Sequence, residues 1–229
     1  MNLSIKNFLF VILLSITSCK SSKLIVCDLN NENEKPKLNL KLETVKISDS
    51  TFVNLEDYSK NFIFDMKYAT TDNFLKAKVY DCAKCYLRLK TVNALIDANN
   101  EAIKMGYKIK IYDCYRPLDV QKKMWTIVSN PIYVANPDKG SIHNKGGAVD
   151  ITLVNSYGAE LDMGTAFDFF GEKASHNYQN LSDSIKNNRI LLKNIMKNAS
   201  FKSFDSEWWH YNLTNAINDR VSNFKWNCD

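Results

Sequence analysis

Two of the three histidines in this chain lie close to carboxylates in the sequence. His143 precedes Asp150 in the segment SIHNKGGAVD, and His210 follows Glu207 in the segment SEWWHY near the C-terminal end. Imidazole nitrogens and carboxylate oxygens are ligands with which proteins bind zinc, and a site with three such ligands leaves a fourth position for water. His143, Asp150 and His210 together therefore have the composition of a catalytic zinc site.

The segment between His143 and Asp150 suits such a site in its local structure. Gly146 and Gly147 allow a tight loop with close backbone approach, so His143 can fold back toward Asp150. Asp150 lies within the strand pattern 148–154, where it shares one face with Ala148 and Thr152, because side chains alternate in direction along a strand. The small side chain of Ala148 keeps that face open beside the carboxylate.

Glu207 is the candidate general base of this site. A zinc-bound water has a pKa of about 7, and a nearby carboxylate can take its proton and deliver it to a departing amine. Residues three apart point to opposite faces of a regular strand, so Glu207 and His210 can face one metal only if the backbone bends or bulges between them. Arg116, in a rigid Tyr-Arg-Pro turn, could supply a fixed positive charge to the oxyanion of a tetrahedral intermediate.

Each of these features also has a purely structural interpretation. His143 and Asp150 alone are weak evidence for a metal pair. Trp208 and Trp209 could be core aromatics beside a surface glutamate and a hydrogen-bonded histidine, and Arg116 could be a surface ion-pair partner. The prediction of a reactive site rests on the co-occurrence of all five residues in one chain.

Sequence periodicity predicts the elements that must bring these residues together. Helical spacing of apolar residues predicts helices over 89–105, about 117–128 and 182–198. One face of the first helix carries Val92, Leu95, Ile96 and Ile103. One face of the last helix carries Ile185, Arg189, Leu192, Ile195 and Met196. Strand-forming residues predict strands over 107–112, 148–154, 201–204 and within SEWWHY. Because strands and helices do not alternate regularly, we expect a single α+β domain rather than a doubly wound fold.

The N-terminus has the layout of an export signal. One basic residue precedes the apolar run 8–14, which is too short to span a bilayer, and Ile16-Thr17-Ser18-Cys19 follows at once. This tetrapeptide resembles the lipobox of bacterial lipoproteins, in which cleavage occurs before the cysteine and its thiol is acylated. The alternative is an ordinary signal peptide with an incidental Cys19.

These features predict the organisation of the whole chain. We expect a lipoprotein signal peptide over 1–18, a polar flexible tether over 19–40 and a catalytic domain over 41–229. Membrane attachment through Cys19 would place the domain in the cell envelope, at the periplasmic face or the outer membrane. The formal net charge of +5 comes from scattered lysines rather than a basic block, so nucleic-acid binding is not predicted.

Six cysteines fit an exported protein. If Cys19 is lipidated, the five others allow two disulfides and one free thiol in an oxidising compartment. Cys82 and Cys85 form a CxxC pair, but no second pair and no thioredoxin-type pattern accompany it. A structural disulfide or buried thiols is therefore favoured over a redox pair or a zinc ribbon, with the connectivity left open.

Several segments together resemble one family. SIHNKGGAVDITL, MGTAFDFF at 163–170 and SEWWHY resemble the D-alanyl-D-alanine dipeptidases of the VanX type. IYDCYRP and KYATTDNF match further segments of these enzymes, so the resemblance covers about 61–211 in consistent order. It implies the D,D-peptidase and Hedgehog-like fold, with a central, mainly antiparallel sheet flanked by helices. The Met-Gly-Thr-x-Phe-Asp segment is the dipeptidase-specific part.

The resemblance implies a zinc metallopeptidase with one Zn²⁺ per chain that hydrolyses the dipeptide D-Ala-D-Ala to two D-Ala. Carried over by position, it implies zinc ligation by His143, Asp150 and His210, with Glu207 as catalytic base and Arg116 as stabiliser of the transition state. It also implies that Asp168 meets the free ammonium group of the substrate and that Ser141 hydrogen-bonds the substrate. Cys114 departs from the family, which usually has Gly at this place, and this bears on the pose of Arg116.

Two other functions stay open on the sequence alone. One is a related zinc D,D-carboxypeptidase or endopeptidase that acts on peptidoglycan peptides, against which the MGTAFD segment stands. The other is a non-catalytic envelope lipoprotein that keeps the fold as a binding module, against which the presence of all five reactive residues stands. His176 has no matching ligand role and is expected to be structural.

Overall fold

The computed structural model of the chain describes residues 21–26 and 41–228. The chain divides into two compact units between Ser48 and Asp49. In the first unit, β1 (Ser21–Val26) pairs antiparallel with β2 (Lys41–Lys46). The signal peptide over 1–18 and Cys19 lie outside the described residues, and β1 is the described part of the tether predicted over 19–40, so the boundaries of these segments stay predictions.

The second unit is built on a five-stranded sheet with strand order β4-β6-β7-β9-β8, accompanied by the two-stranded sheet β3-β5. Its elements are β3 (Phe52–Asn54), β4 (Ile63–Phe64), β5 (Tyr86–Arg88), α1 (Leu89–Lys104), β6 (Lys108–Asp113), α2 (Leu118–Ile127), β7 (Ala148–Val154), α3 (Asp183–Asn198), β8 (Phe201–Phe204) and β9 (Glu207–Leu213). β4 runs parallel to β6, and the other neighbours in the large sheet are antiparallel. The predicted α+β class, with a mainly antiparallel central sheet and flanking helices, is confirmed.

The helices pack the apolar faces that the periodicity predicted, with one exception. Leu192, Ile195 and Met196 of α3 are fully buried, as are Val92 and Leu95 of α1. Ile103, predicted on the inner face of α1, is instead 38% exposed in the last turn of that helix. None of the helices in the described part of the chain is long and apolar enough to cross a membrane.

Arg189 is the one charged member of the predicted inner face of α3, and it is 4% exposed. Its guanidinium donates hydrogen bonds to the backbone carbonyls of Met163, Ser175 and Lys173 at 2.7, 2.8 and 2.8 Å. Three buried or half-buried carbonyls of one loop are thus satisfied by a single side chain. α3 thereby fixes both ends of the loop 163–175, which carries Asp168.

Strand register brings the reactive residues of three strands together. β7 is buried along its whole length between β6 and β9. Asp150 of β7 lies opposite Asp113 of β6 on one side and opposite His210 of β9 on the other. Residues directly opposite each other in a sheet have neighbouring side chains, so this register alone places both carboxylates and the imidazole side by side.

β9 is irregular between Glu207 and His210, where a bend or bulge is needed for both side chains to face one point. Ser203 lies opposite Tyr211, but the next residue, Phe204, lies opposite Glu207, so three residues of β9 have no counterpart in β8. A bulge of this kind changes the direction in which side chains point. The predicted break in alternation between Glu207 and His210 is confirmed.

Two disulfides connect distant parts of the second unit. Cys82 bonds to Cys228, and Cys85 bonds to Cys114. The two cysteines of the CxxC segment are therefore both structural, and each pairs outside the segment. Cys19 and Cys27, the two remaining cysteines, lie outside the described residues.

Candidate active site

The side chains of His143, Asp150 and His210 converge in a tight group. Nε2 of His143 lies 3.2 Å from Nδ1 of His210 and 3.4 Å from Oδ1 of Asp150. Nδ1 of His210 lies 3.0 Å from the same carboxylate oxygen. Ligand atoms at about 2.0–2.1 Å from a tetrahedral metal ion lie about 3.3 Å apart, so this group has the dimensions of a zinc ligand set.

The other nitrogen of each imidazole faces an oxygen acceptor. Nδ1 of His143 lies 2.7 Å from the backbone carbonyl of Cys114, and Nε2 of His210 lies 2.9 Å from Oδ1 of Asn212. A carbonyl oxygen can only accept, so these nitrogens carry the protons of the neutral rings. The lone pairs of the two inner nitrogens then face each other and the carboxylate of Asp150, an arrangement that a metal ion, or protonation of His210 at Nδ1, would stabilise.

The electrostatics of the group also favour a cation. Burial opposes ionisation of Asp150, but His143 and His210 hold the pKa of its carboxyl well below the ordinary value. Burial likewise opposes protonation of His210, yet the carboxylate of Asp150 raises the pKa of this imidazole. The donor set, its spacing and its negative charge therefore fit a divalent metal ion.

Glu207 lies at the edge of this group. Its Oε2 is 4.0 Å from Nδ1 of His210, and its side chain is 19% exposed. Burial raises the pKa of Glu207 above its ordinary value, which the neighbouring His210 partly offsets. A carboxylate with a raised pKa is suited to accept a proton and return it.

Arg116 is buried and held in place by an acid that sequence reasoning did not single out. Its guanidinium donates to Oδ2 of Asp113 at 2.6 Å and to Oε1 of Gln121 at 3.0 Å, and Oδ1 of Asp113 accepts from the hydroxyl of Tyr80 at 2.7 Å. Burial disfavours the charged guanidinium, but Asp113 keeps the pKa of Arg116 well above its ordinary value. A permanent, immobilised positive charge therefore lies in the site.

The cysteine in the turn before Arg116 imposes no strained backbone. Among the described non-glycine residues, only Lys76, Asp168 and Ser200 have a positive φ, so Cys114 has an ordinary conformation. The backbone N–H of Arg116 donates to the carbonyl of His143 at 3.1 Å. The Gly-to-Cys departure thus leaves Arg116 next to the ligand loop.

Asp168, the candidate partner of a substrate ammonium group, lies in a turn where its φ is 61°. The hydroxyl of Tyr68 donates to its two carboxylate oxygens at 3.0 and 3.2 Å. Burial, together with the charge of Asp150, raises the pKa of Asp168 well above its ordinary value. The ring of Tyr68 also lies under the guanidinium of Arg116, 5.3 Å from its central carbon, so one tyrosine contacts both residues.

Ser141 precedes the ligand loop and is bonded within it. Its Oγ and its backbone N–H both face Oδ1 of Asn144, at 3.1 and 2.7 Å. The amide nitrogen of Asn144 in turn donates to the carbonyl of Arg116 at 2.8 Å. Asn144 therefore joins Ser141 to the turn that carries Arg116.

A cavity of about 300 Å³ unites these side chains. All seven predicted site residues line it: Arg116, Ser141, His143, Asp150, Asp168, Glu207 and His210. Trp209, predicted as scaffold, also forms part of the wall, whereas Trp208 donates its Nε1–H to Oγ1 of Thr165 at 2.8 Å and so supports the loop that carries Asp168. His176 does not line the cavity, and burial lowers its pKa to about 4.

Four residues with roles in the site were not identified from the sequence: Tyr68, Asp113, Gln121 and Asn212. Tyr68 and Asp113 lie within the family-like segments KYATTDNF and IYDCYRP, so the resemblance pointed to their neighbourhood. Asn212 follows His210 by two residues, on the same strand face, which was an available signal.

The sequence of this chain is similar to a known family of peptidases over most of its length. A family model described as D-ala-D-ala dipeptidase matches residues 48–227. The chain is 34% identical to a D-alanyl-D-alanine dipeptidase of Escherichia coli K12, over 74% of this chain and 89% of that protein. It is 31% identical to a D-alanyl-D-alanine dipeptidase of Enterococcus faecium, over 71% of this chain and 91% of that protein. A solved LdcB LD-carboxypeptidase is more distant, with 22% identity and a TM-score of 0.38 over 56% of this chain and 59% of that one, which supports no statement about the site.

Fold, cavity and sequence similarity define a hydrolase of the peptidase class. The chain belongs to the D-Ala-D-Ala dipeptidase family.

The ligand cluster predicts stoichiometric metal binding. We expect one Zn²⁺ per chain in the native protein and a loss of affinity of at least about 100-fold in His143→Ala and His210→Ala, since each change removes a ligand rather than a supporting contact. Competition with a chromophoric chelator measures this affinity. His176→Ala is the matched control and should bind zinc like the native protein; full binding by both ligand variants would contradict the assignment.

Proposed function

We propose that this chain is a zinc-dependent dipeptidase that hydrolyses D-alanyl-D-alanine to two molecules of D-Ala. The observation that carries the proposal is one small cavity that is lined by a metal-type ligand set, by Glu207 and by the half-buried Asp168. A volume of about 300 Å³ is at the low end of the range of about 300–1,000 Å³ for small-molecule sites. It favours a dipeptide over a long peptide strand.

We assign the metal to His143, Asp150 and His210, through the nitrogen and oxygen atoms that converge in the cavity. When bound, the metal polarises the scissile carbonyl and lowers the pKa of a water molecule. The backbone carbonyl of Cys114 and the amide oxygen of Asn212 hold the two imidazoles in the orientation and tautomer that this binding needs.

Glu207 is the proposed general base. It takes the proton of the attacking water as the new C–O bond forms, and it returns the proton to the amine as the C–N bond breaks. The raised pKa of its carboxyl suits both steps, because a more basic carboxylate accepts the proton more readily. The bulge in β9 is what lets Glu207 and His210 act on the same point of space.

Arg116 is the proposed partner of the negative charge that develops on the carbonyl oxygen. Its guanidinium is already oriented by Asp113 and Gln121, so little reorganisation accompanies the reaction. Its Nε is buried and has no hydrogen-bond partner among the described residues.

Asp168 and Ser141 are the proposed recognition residues. The pKa of Asp168 is raised in a cavity without substrate, and a bound ammonium group would lower it again and keep the carboxylate charged. An acylated amine would leave this acid without a cationic partner, so the site would reject longer peptides. Oγ of Ser141 donates to Oδ1 of Asn144 and accepts from the backbone N–H of Asn144 at 3.4 Å, so one lone pair is left to accept from an N–H of the substrate.

We further propose that the enzyme is exported and attached to a membrane through a lipid on Cys19. The support is the sequence Ile16-Thr17-Ser18-Cys19 after an apolar run. Two disulfides in the catalytic unit agree with maturation in an oxidising compartment. An envelope location would direct the enzyme to D,D-dipeptides released during turnover of the cell wall.

The substrate assay uses zinc-loaded protein with D-Ala-D-Ala, L-Ala-L-Ala and an N-acylated peptide that ends in D-Ala-D-Ala. We expect D-Ala release from the free D,D-dipeptide alone. Glu207→Gln should retain zinc and lose about 10²- to 10⁴-fold in kcat, whereas the exposed Glu172→Gln should match the native enzyme. Cleavage of the acylated peptide would instead indicate a carboxypeptidase or endopeptidase, and stoichiometric zinc without hydrolysis would indicate a binding protein.

Asp168→Asn tests the ammonium contact. A hydrogen bond to a charged group contributes about 1.5–3 kcal/mol, so KM for D-Ala-D-Ala should rise by about 10- to 100-fold while kcat changes little. The preference for the free over the N-acylated substrate should fall in parallel, and steady-state kinetics on both substrates measures it. The exposed Asp97→Asn on α1 is the control. An unchanged KM in Asp168→Asn would place the ammonium elsewhere.

Cys19→Ser tests the lipid anchor. In cells that express the full chain, the native protein should incorporate labelled fatty acid and sediment with membranes, and the variant should do neither. Mass spectrometry of the mature N-terminus locates the cleavage site. If the native protein carries no lipid and its cleavage site lies elsewhere, the sequence is an ordinary signal peptide.

A further inference from the structure

The carbonyl that orients His143 belongs to a disulfide-bonded residue. Nδ1 of His143 lies 2.7 Å from the oxygen of Cys114, the shorter of the two outer contacts made by the ligand imidazoles. Because that oxygen is only an acceptor, its position decides that Nδ1 carries the proton and that Nε2 is free to bind a cation. Any shift of Cys114 therefore alters both the direction and the tautomer of a ligand.

Cys114 stands in a part of the chain that the sheet does not hold. It follows the end of β6, and the register between β6 and β7 already shifts between Ile111 and Asp113. The residues from Cys114 to Pro117 have no helix or strand structure. Backbone ladder bonds, which fix the position of Asp150, are thus absent where the support of His143 is located.

A disulfide, rather than the backbone hydrogen bonds of a sheet, holds the turn that contains Cys114. The side chain of Cys114 is joined to Cys85, and both residues are fully buried. Cys85 lies directly before β5, and its own carbonyl accepts from the N–H of Leu55 at 2.8 Å. Beside the disulfide, the N–H of Tyr115 donates to the carbonyl of Tyr86 at 3.0 Å. The turn is therefore fastened to the β5 segment at two consecutive residues.

We propose that the Cys85–Cys114 disulfide is a positioning device of the metal site, which holds the Cys114 carbonyl against His143 and so increases metal affinity. Its role goes beyond linking two parts of the fold. Partners of metal-bound histidines contribute about 10- to 100-fold to metal affinity or activity. This inference rests on the proposed metal function of His143, Asp150 and His210.

The second disulfide provides a matched control within the same chain. Cys82–Cys228 begins only three residues before Cys85, yet it closes a far longer loop, with a sequence separation of 146 against 29. A longer loop predicts a larger effect on the unfolded chain. Neither Cys82 nor Cys228 lines the cavity of the ligand cluster. Loss of this bond should reduce stability without altering metal affinity.

The test compares three variants of the full chain. Cys85→Ala removes the Cys85–Cys114 disulfide and leaves residue 114 unchanged. The double variant Cys85→Val, Cys114→Ala removes the same disulfide and fills the space of the lost sulfur atoms. The double variant Cys82→Ala, Cys228→Ala removes the control disulfide. Zinc affinity is measured by chelator competition on protein shown to be folded by near-ultraviolet circular dichroism. Long-range ¹⁵N spectra of the metal-free protein report which nitrogen of His143 carries the proton.

We expect both variants at Cys85 to bind zinc about 10- to 100-fold more weakly than the native protein and to show a mixture of His143 tautomers, with the control pair changing neither. If Cys85→Ala is unfolded, the zinc affinity of the double variant Cys85→Val, Cys114→Ala decides whether the disulfide positions His143. Zinc affinity within about twofold of native, with the Nδ1-protonated tautomer retained, would overturn the proposal. If the native protein binds no zinc, the proposed function fails, and the tautomer comparison still decides whether the disulfide positions His143.

Discussion

The site depends above all on the register of β7 between its two neighbours. Asp150 has a direct partner on each side, Asp113 on β6 and His210 on β9. A slip of β7 by one residue would move Val149, Ile151 and Leu153 out of the main core and turn Asp150 into it. The same packing that stabilises the sheet therefore fixes a carboxylate between an imidazole and a second acid. His143 and Glu207 are then added by two irregular features, a glycine-ended loop and a bulged strand.

A chain of polar contacts extends from this sheet across the cavity. Asp113 holds Arg116, the guanidinium of Arg116 lies over the ring of Tyr68, and the hydroxyl of Tyr68 holds Asp168. The proposed oxyanion partner and the proposed ammonium partner are thus set at a fixed spacing by one aromatic side chain. A spacing of this kind defines a substrate by the distance between its reacting carbonyl and its free amine, in addition to the volume that it occupies.

Local patterns in the sequence predicted α1, α2, α3 and the strands β6 to β9, and its motifs singled out the central residues of the candidate site. Strands β1 to β5 were not predicted; β3, β4 and β5 are only two or three residues long, which is too short to show a periodicity. β7, α3 and the break in β9 follow from periodicity and from the requirement that Glu207 and His210 share a face. The partners that lie far apart in the chain were not accessible in this way: Tyr68 meets Asp168 across 100 residues, and the choice of partners for Cys82 and Cys85 depends on which residues folding brings near. Ile103 was misplaced because Leu95, Ala98 and Ala102 define the buried face of α1, and Ile103 lies at the edge of that face.

The bond between Cys82 and Cys228 turns most of the catalytic unit into a closed covalent ring. Every residue assigned to catalysis, metal binding or recognition, from Arg116 to His210, lies within that ring. A single cut by a protease in an exposed turn, such as that around the 94% exposed Tyr157, would leave both fragments linked to each other. One broken peptide bond within the ring therefore does not separate His143 from His210, and a chain cut once keeps both imidazoles in one covalent molecule.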